Sequence, residues 1–104
     1  MSINPQTLDT ILLSNVVDLS FIKKDGSTRY MTCTKSYDLL SSGEGKTILK
    51  YKEPKSGSRN LHNGLLAVWD IDSFGFRTVN CDSVNILGVI PVENFRKMLI
   101  EKYF

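Results

Sequence analysis

Residues 16–34 read VVDLSFIKKDGSTRYMTCT, and this stretch decides the expected fold. From Val17 to Phe21 every second side chain is apolar and falls on the same face, which is the pattern of a half-buried strand. Asp25-Gly26 then gives a strong hairpin signal, because type I′ turns need positive φ values that Asp and Gly tolerate. We therefore predict an antiparallel hairpin whose second strand covers about residues 28–34.

Three further strands are predicted downstream of this hairpin. The apolar run at residues 65–70, the turn at 72–75 and the return strand at 76–80 indicate a second hairpin, and residues 84–90 indicate a last strand. We expect the five antiparallel strands to curl into a small barrel over about residues 16–90.

A helix is predicted at each end of the chain. Asn4-Pro5 is typical of a helix start, because Asn caps the first N–H groups and Pro lacks an N–H that would be unpaired there. Asn15 is interpreted as a left-handed stop, so the first helix covers about residues 5–14. Apolar residues at helical spacing predict a second helix over about residues 92–103. The fold class is therefore mainly β (α+β), in one domain covering residues 1–104.

The expected core combines inward-facing strand residues with helix residues that close the ends of the barrel. They are Val17, Leu19, Phe21, Met31, Leu66, Val68, Val79, Val84, Ile86 and Val89 from the strands and Leu8, Leu12, Phe95 and Leu99 from the helices. Residues 35–64 are expected to form one long excursion outside the barrel, around a β-capable segment at Thr47–Tyr51. An exposed strand there would be an edge through which two copies could pair, so self-association is a further expectation.

Composition places the chain among ordinary globular domains and excludes several function classes. The chain has 104 residues, 41% of them hydrophobic, and a net charge of +2. It has no apolar run long enough for a membrane span and no secretory signal pattern, so we expect a cytoplasmic protein without a membrane partner. Two cysteines and one histidine cannot supply a disulfide framework or the usual zinc ligand set, so we expect no metal and no cofactor.

Three segments together resemble a known family. They are residues 17–34, Val68-Trp69-Asp70 and residues 75–84, which combine a Lys-Asp-Gly turn, an Arg-x-Met pair, a Val-Trp-Asp strand end and an aromatic-Arg pair before Asp-Ser-Val. Over about residues 16 to 90 the chain resembles the small phage and prophage proteins described as WYL-like, Sm-like SH3 β-barrels, with Phe76 where many relatives carry Trp. The resemblance implies an SH3-like, Sm-like barrel, a viral protein acting in the host cytoplasm and a link to nucleic acid or regulation. It implies no particular activity, because a fold alone does not fix function.

The candidate enzymatic motifs are explained better by structure than by catalysis. Residues 43–47 end like a phosphate-binding loop, but Leu40 stands where the template needs its first glycine, and the residues that follow are predicted as strand rather than helix. The acidic residues Asp70, Asp72 and Asp82 are typical of turns and strand ends. The two cysteines are expected to be buried and inert. We therefore predict that the protein is not an enzyme.

Trp69 and two arginines each admit a structural and a binding interpretation. Trp69 is expected to be an anchor of the core or rim whose indole N–H donates to a carbonyl. Arg77 is expected to pair with Asp70 across the second hairpin or to lie on an aromatic ring, and ligand recognition is the alternative. The same two interpretations apply to Arg29.

The charge of the chain is uneven within the predicted excursion. Its cationic residues and an aromatic neighbour are Lys46, Lys50, Tyr51, Lys52, Lys55 and Arg59, against Glu53 alone. Such a segment attracts phosphates, and an aromatic ring can stack on an unpaired base. The simpler interpretation is a solvated loop whose lysines oppose aggregation.

Two functions from different classes follow from this sequence. The first is a phage regulatory protein that binds single-stranded DNA or RNA through the basic loop and the sheet, with Arg29 and Arg77 nearer the barrel. The alternative is a host-takeover or anti-defence module that binds a bacterial protein or sequesters a nucleotide signal. A steep loss of affinity with salt favours the first, and salt-insensitive binding to one host protein favours the second.

Overall fold

The hairpin predicted at residues 16–34 is present in the computed structural model, which describes residues 3–52 and 64–103. Strand β1 (Asn15–Ile22) pairs antiparallel with β2 (Thr28–Thr34), in a register that places Phe21 opposite Arg29. In the turn, Lys23 N–H donates to the Ser27 carbonyl at 2.8 Å and Gly26 has φ 87°. The predicted type I′ turn is wrong, because Gly26 takes the positive φ value and Asp25 does not. The loop has three residues and ends in a left-handed glycine.

All five predicted strands form one antiparallel sheet. The others are β3 (Leu65–Asp70), β4 (Gly75–Asn80) and β5 (Asn85–Pro91), and a 3-10 helix at Cys81–Ser83 joins β4 to β5. The strand order is β4-β3-β2-β1-β5. β3 and β4 pair along their whole length, whereas the β2–β3 ladder is two residues long. The two hairpins therefore meet near Asp70 and diverge from there.

The flanking helices cover the predicted residues, with one difference at the end of the first helix. Helix α1 (Pro5–Ser14) starts after Asn4, whose side chain accepts a hydrogen bond from Gln6 N–H at 2.8 Å. Helix α4 covers Val92–Tyr103. Asn15 is not a left-handed stop, because its backbone is extended (φ −141°) and it is the first residue of β1. The helix therefore continues directly into the strand.

The first of two cores fills the barrel. It contains most of the expected residues, together with Cys33 and Cys81, and Leu8, Val17 and Val68 are fully buried. Val89 was expected in this core but is 48% exposed. Its strand, β5, is at the edge of the sheet, so one flank of Val89 has no neighbouring strand.

The second core lies on the outer face of the sheet, where no core was expected. It is formed by Val16, Leu39, Leu40, Leu49, Trp69 and Leu99. The chain reaches it through two short helices, α2 (Tyr37–Leu40) and α3 (Gly43–Thr47), which Ser36 and Ser42 cap at their N-termini. The predicted external excursion is therefore wrong for residues 37–49, and the predicted strand at Thr47–Tyr51 is absent. Serine caps and the burial of three leucines override the β propensity of this segment.

Across residues 3–52 and 64–103, every helix is too short or too polar to cross a bilayer.

Candidate functional site

A groove of about 560 Å³ opens where the two hairpins diverge. Its walls come from β1, β2 and the turn between them on one side and from β3 and β4 on the other. The lining residues are Phe21, Ile22, Lys23, Lys24, Arg29, Met31, Leu65, Arg77, Thr78 and Asn80. Four of these described residues are cationic and none is acidic, while Phe21, Met31 and Leu65 supply apolar surface. The groove can therefore accept an anion that also carries an apolar surface.

Arg29 is held in the groove by a buried carboxylate. Its Nη2 donates to Asp70 Oδ2 at 2.8 Å, and the Asp70 side chain is 1% exposed. The other oxygen of Asp70 accepts hydrogen bonds from the backbone N–H groups of Asp72 (2.9 Å) and Ser73 (3.2 Å). Asp70 is thus a turn residue, as predicted, and at the same time fixes the direction of the Arg29 guanidinium.

Arg77 does not make the predicted pair with Asp70. The register of β3 and β4 places Arg77 opposite Val68, and it places Asp70 opposite Gly75. Arg77 Nη1 instead donates to the carbonyl of Phe76 at 2.7 Å, and the side chain stays exposed at the groove. The charge of Arg77 is consequently not neutralised by Asp70, unlike that of Arg29.

Lys23 and Lys24 were not identified as site residues from the sequence. Both are exposed in the β1–β2 turn and both line the groove. Nearby, the Ser27 hydroxyl and backbone N–H donate to Asp25 Oδ1, and these bonds together with Lys23 hold the pKa of Asp25 below its ordinary value. The signal that could have identified the two lysines is their position in the turn, two and three residues beyond Phe21, whose partner across the hairpin is Arg29.

The predicted basic-loop residues are only partly described, and those that are described do not line the groove. Lys46, Lys50 and Lys52 are exposed, whereas Lys55 and Arg59 lie outside the described residues. Tyr51 packs edge-on against Trp69, with ring centroids 5.0 Å apart, so its ring belongs to the second core. This contact weakens the interpretation of Tyr51 as a base-stacking residue.

Trp69 is the central ring of an aromatic cluster on the outer face of the sheet. It is 3% exposed and lies between Tyr51 and Phe76, and its centroid is 5.0 Å from that of Phe76. The expected anchoring role is confirmed. The expected carbonyl partner is not found, because Nε1 is buried without a hydrogen-bond acceptor among residues 3–52 and 64–103.

The remaining candidates for chemistry are structural. Burial, followed by the charges of Asp70, Asp18 and Asp72, raises the pKa of the Cys33 thiol to about 12. Burial also raises the pKa of Cys81. Both cysteines are buried, as predicted, and a raised pKa disfavours the thiolate, which is the reactive form. In the described part of the chain, no three His, Cys, Asp or Glu side chains are grouped closely enough to hold a metal ion.

Comparison with known proteins gives one result. A family model described as WYL_2, Sm-like SH3 beta-barrel fold, matches residues 6–84 of the 104 residues. The matched region begins in α1 and ends just before β5, and so includes both hairpins and the groove between them. The searches of curated proteins and of solved structures returned no match.

Proposed function

The chain belongs to the WYL_2, Sm-like SH3 β-barrel family, and from the groove that this barrel carries we propose that it is a non-catalytic protein that binds single-stranded DNA or RNA. The observation that supports the proposal is the convergence of Lys23, Lys24, Arg29 and Arg77 on one groove with an apolar floor. Phosphates pair with the cations, and the apolar floor suits the faces of bases and sugars.

The size of the groove favours a single strand over a duplex. A volume of about 560 Å³ is on the scale of one or two nucleotides and not of a double helix. The exposed Lys46, Lys50 and Lys52 would add phosphate contacts for a strand that leaves the groove along the outer face. Lys55 and Arg59 would act in the same way. The groove is therefore the main part of the proposed binding site, and the basic segment is an additional part.

The biological setting is part of the same proposal. Similarity of the motifs to small phage and prophage proteins supports a regulatory protein that acts in the cytoplasm of an infected bacterium. Binding of nucleic acid without catalysis fits regulation of transcription in that setting.

One observation favours a second candidate function. The groove is large enough for a single nucleotide, so the protein would also suit a host-takeover or anti-defence role in which it sequesters a nucleotide signal. A mononucleotide that competes with an oligonucleotide at equal or higher affinity would support this second function. A mononucleotide that binds far more weakly than the oligonucleotide supports the first.

The test is equilibrium binding to a labelled 15-nucleotide dT or rU strand, followed by fluorescence anisotropy at several salt concentrations. The double variant Lys23→Gln/Lys24→Gln is expected to lose about tenfold or more in affinity at low salt, because two phosphate contacts are removed. The matched control is Lys97→Gln/Lys102→Gln, which removes the same charge from exposed positions on α4 and leaves affinity unchanged. Absence of binding by the unaltered protein, or an equal loss in the control, would overturn the proposal.

A further inference from the structure

Phe74 is an exposed aromatic residue in an unfavourable backbone conformation at the end of the β3–β4 turn, directly before β4. Its φ is 55°, which is uncommon for any side chain other than Gly and is a genuine outlier for a bulky one. Its side chain is 51% exposed, so burial within the chain does not compensate fully for the conformation. A residue of this kind suggests that the turn is adapted to something outside the chain.

The two neighbours of Phe74 contact the two arginines of the groove. On one side, the Ser73 hydroxyl is 3.5 Å from Arg29 Nη2. On the other side, the Arg77 guanidinium lies over Gly75, so closely that a Cβ atom added there would stand 2.9 Å from Nη1. The Arg29 and Arg77 guanidinium groups therefore approach the turn at the residues on either side of Phe74.

The turn that carries Phe74 is fixed by hydrogen bonds at its base. Asp70 accepts from the backbone of Asp72 and Ser73 while it pairs with Arg29. These bonds tie the backbone just before Phe74 to the same carboxylate that holds the Arg29 guanidinium. A turn whose backbone is fixed in this way loses little conformational freedom on binding.

We propose that Phe74 is the residue on which an unpaired base stacks when the phosphates of a strand occupy the groove, an inference that rests on the proposed function. The aromatic face supplies the stacking surface, and Arg77, with Lys23 and Lys24, holds the phosphates, while Arg29 stays paired with Asp70 at the base of the turn. The ligand class is thereby narrowed to strands with exposed bases, because a paired base in a duplex offers no free face.

The experiment compares Phe74→Leu with Phe74→Trp on two 15-mers that carry the same number of phosphates, one of dT and one of abasic residues. Phe74→Leu is expected to lose about tenfold in affinity for dT and nothing for the abasic strand, since leucine keeps apolar bulk but lacks the ring face. Phe74→Trp is expected to retain affinity, and its fluorescence should be quenched by the dT strand alone. Tyr30→Leu is the matched control, because Tyr30 is 71% exposed and alternates with Arg29 and Met31, which places it on the opposite face of β2.

The outcomes separate the two proposals. Equal effects of Phe74→Leu on both strands, or no effect on either, would overturn the role of Phe74 while the salt-dependent binding of the unaltered protein still supports the groove. Failure of the unaltered protein to bind either strand would overturn both. If Phe74→Leu lost binding to a host protein but still bound dT with unchanged affinity, the ring would belong to a protein interface and the stacking role would be refuted. Thermal unfolding of each variant confirms that it is folded at the temperature of the assay.

Discussion

Replacement of Asp70 by Asn should weaken the fold and strengthen nucleic-acid binding, because Asp70 stabilises the turn and also neutralises Arg29. The substitution keeps an oxygen that can accept from Asp72 and Ser73 but removes the charge that holds Arg29 at 2.8 Å. A hydrogen bond between charged groups contributes about 1.5–3 kcal/mol. Since the Arg29 side chain is 32% exposed and water replaces part of the interaction, we expect the lower end, about 1.5 kcal/mol.

The expected gain in binding can be worked from the charges of the groove. With Arg29 neutralised, Lys23, Lys24 and Arg77 remain, and three phosphate contacts give a slope of log affinity against log salt of about −2.1 for a single strand. Release of Arg29 adds a fourth contact and a slope of about −2.8. A fourfold rise in salt then lowers affinity about 50-fold in Asp70→Asn, compared with about 18-fold in the unaltered protein.

Two measurements check this prediction together. Thermal unfolding should show a decrease in Tm of roughly 6–12 °C, the shift that about 1.5 kcal/mol produces in a domain of this size. Anisotropy titrations with a 15-nucleotide dT strand between 50 and 200 mM salt give the slope. Asp70→Ala is the comparison variant, because it also removes the acceptor for two backbone N–H groups and should cost about 1 kcal/mol more. An unchanged slope in Asp70→Asn, with the protein folded, would refute the idea that Asp70 competes with phosphate for Arg29.

The other predictions concern stability. The folded pKa of Cys33 (about 12) lies above the ordinary value of 9.0, so the native state keeps a proton that the unfolded state loses. This difference should lower the free energy of unfolding by about 1 kcal/mol between pH 9 and 10. In urea titrations Cys33→Ala should remove this contribution and leave that of Cys81, whose pKa is also raised. Gly45→Ala should cost about 3 kcal/mol in the same assay, because its Cβ would overlap the carbonyl oxygens of the preceding α2 helix, whereas Gly43→Ala meets open space and should change stability by less than about 0.5 kcal/mol. Gly26→Ala should cost about 1 kcal/mol, because φ is 87° there, and Gly26→Asn should restore part of the loss; equal stability of the two variants would contradict this reason.

The sheet and the terminal helices could be predicted because their signals are local. The alternation of apolar residues in β1 and the Asn4-Pro5 start of α1 both depend on residues close together in sequence. The second core could not be predicted in this way. Leu39, Leu40 and Leu49 belong to very short segments with no measurable period, and their burial depends on contacts with Trp69 and α4 that are distant in sequence.

Which arginine of the site pairs with Asp70 depends on the register of the strands. An Arg–Asp pair was expected, and one exists, but Arg29 rather than Arg77 is the partner of Asp70. The residue opposite Asp70 on β4 is Gly75, and the β2–β3 ladder brings Arg29 near Asp70 from the other side. Neither register can be read from composition or spacing. Lys23 and Lys24 lie near both arginines because the two hairpins diverge at this point. This arrangement could not be predicted from the sequence either.

The two-residue ladder between β2 and β3 gives the barrel a seam that can act as a hinge. Beyond Cys33↔Asp70 and Thr34↔Trp69, the seam is extended by one further bond, from Ile71 N–H to the Thr32 carbonyl at 2.9 Å. Few backbone hydrogen bonds thus set the width of the opening between the hairpins. Small rotations about the seam would therefore admit ligands of different thickness without breaking the hydrogen bonds within either hairpin. Amide hydrogens at this seam should exchange faster with solvent than those of the long β1–β2 ladder. A bound ligand that contacts both hairpins should selectively lower the exchange rate of the seam amides.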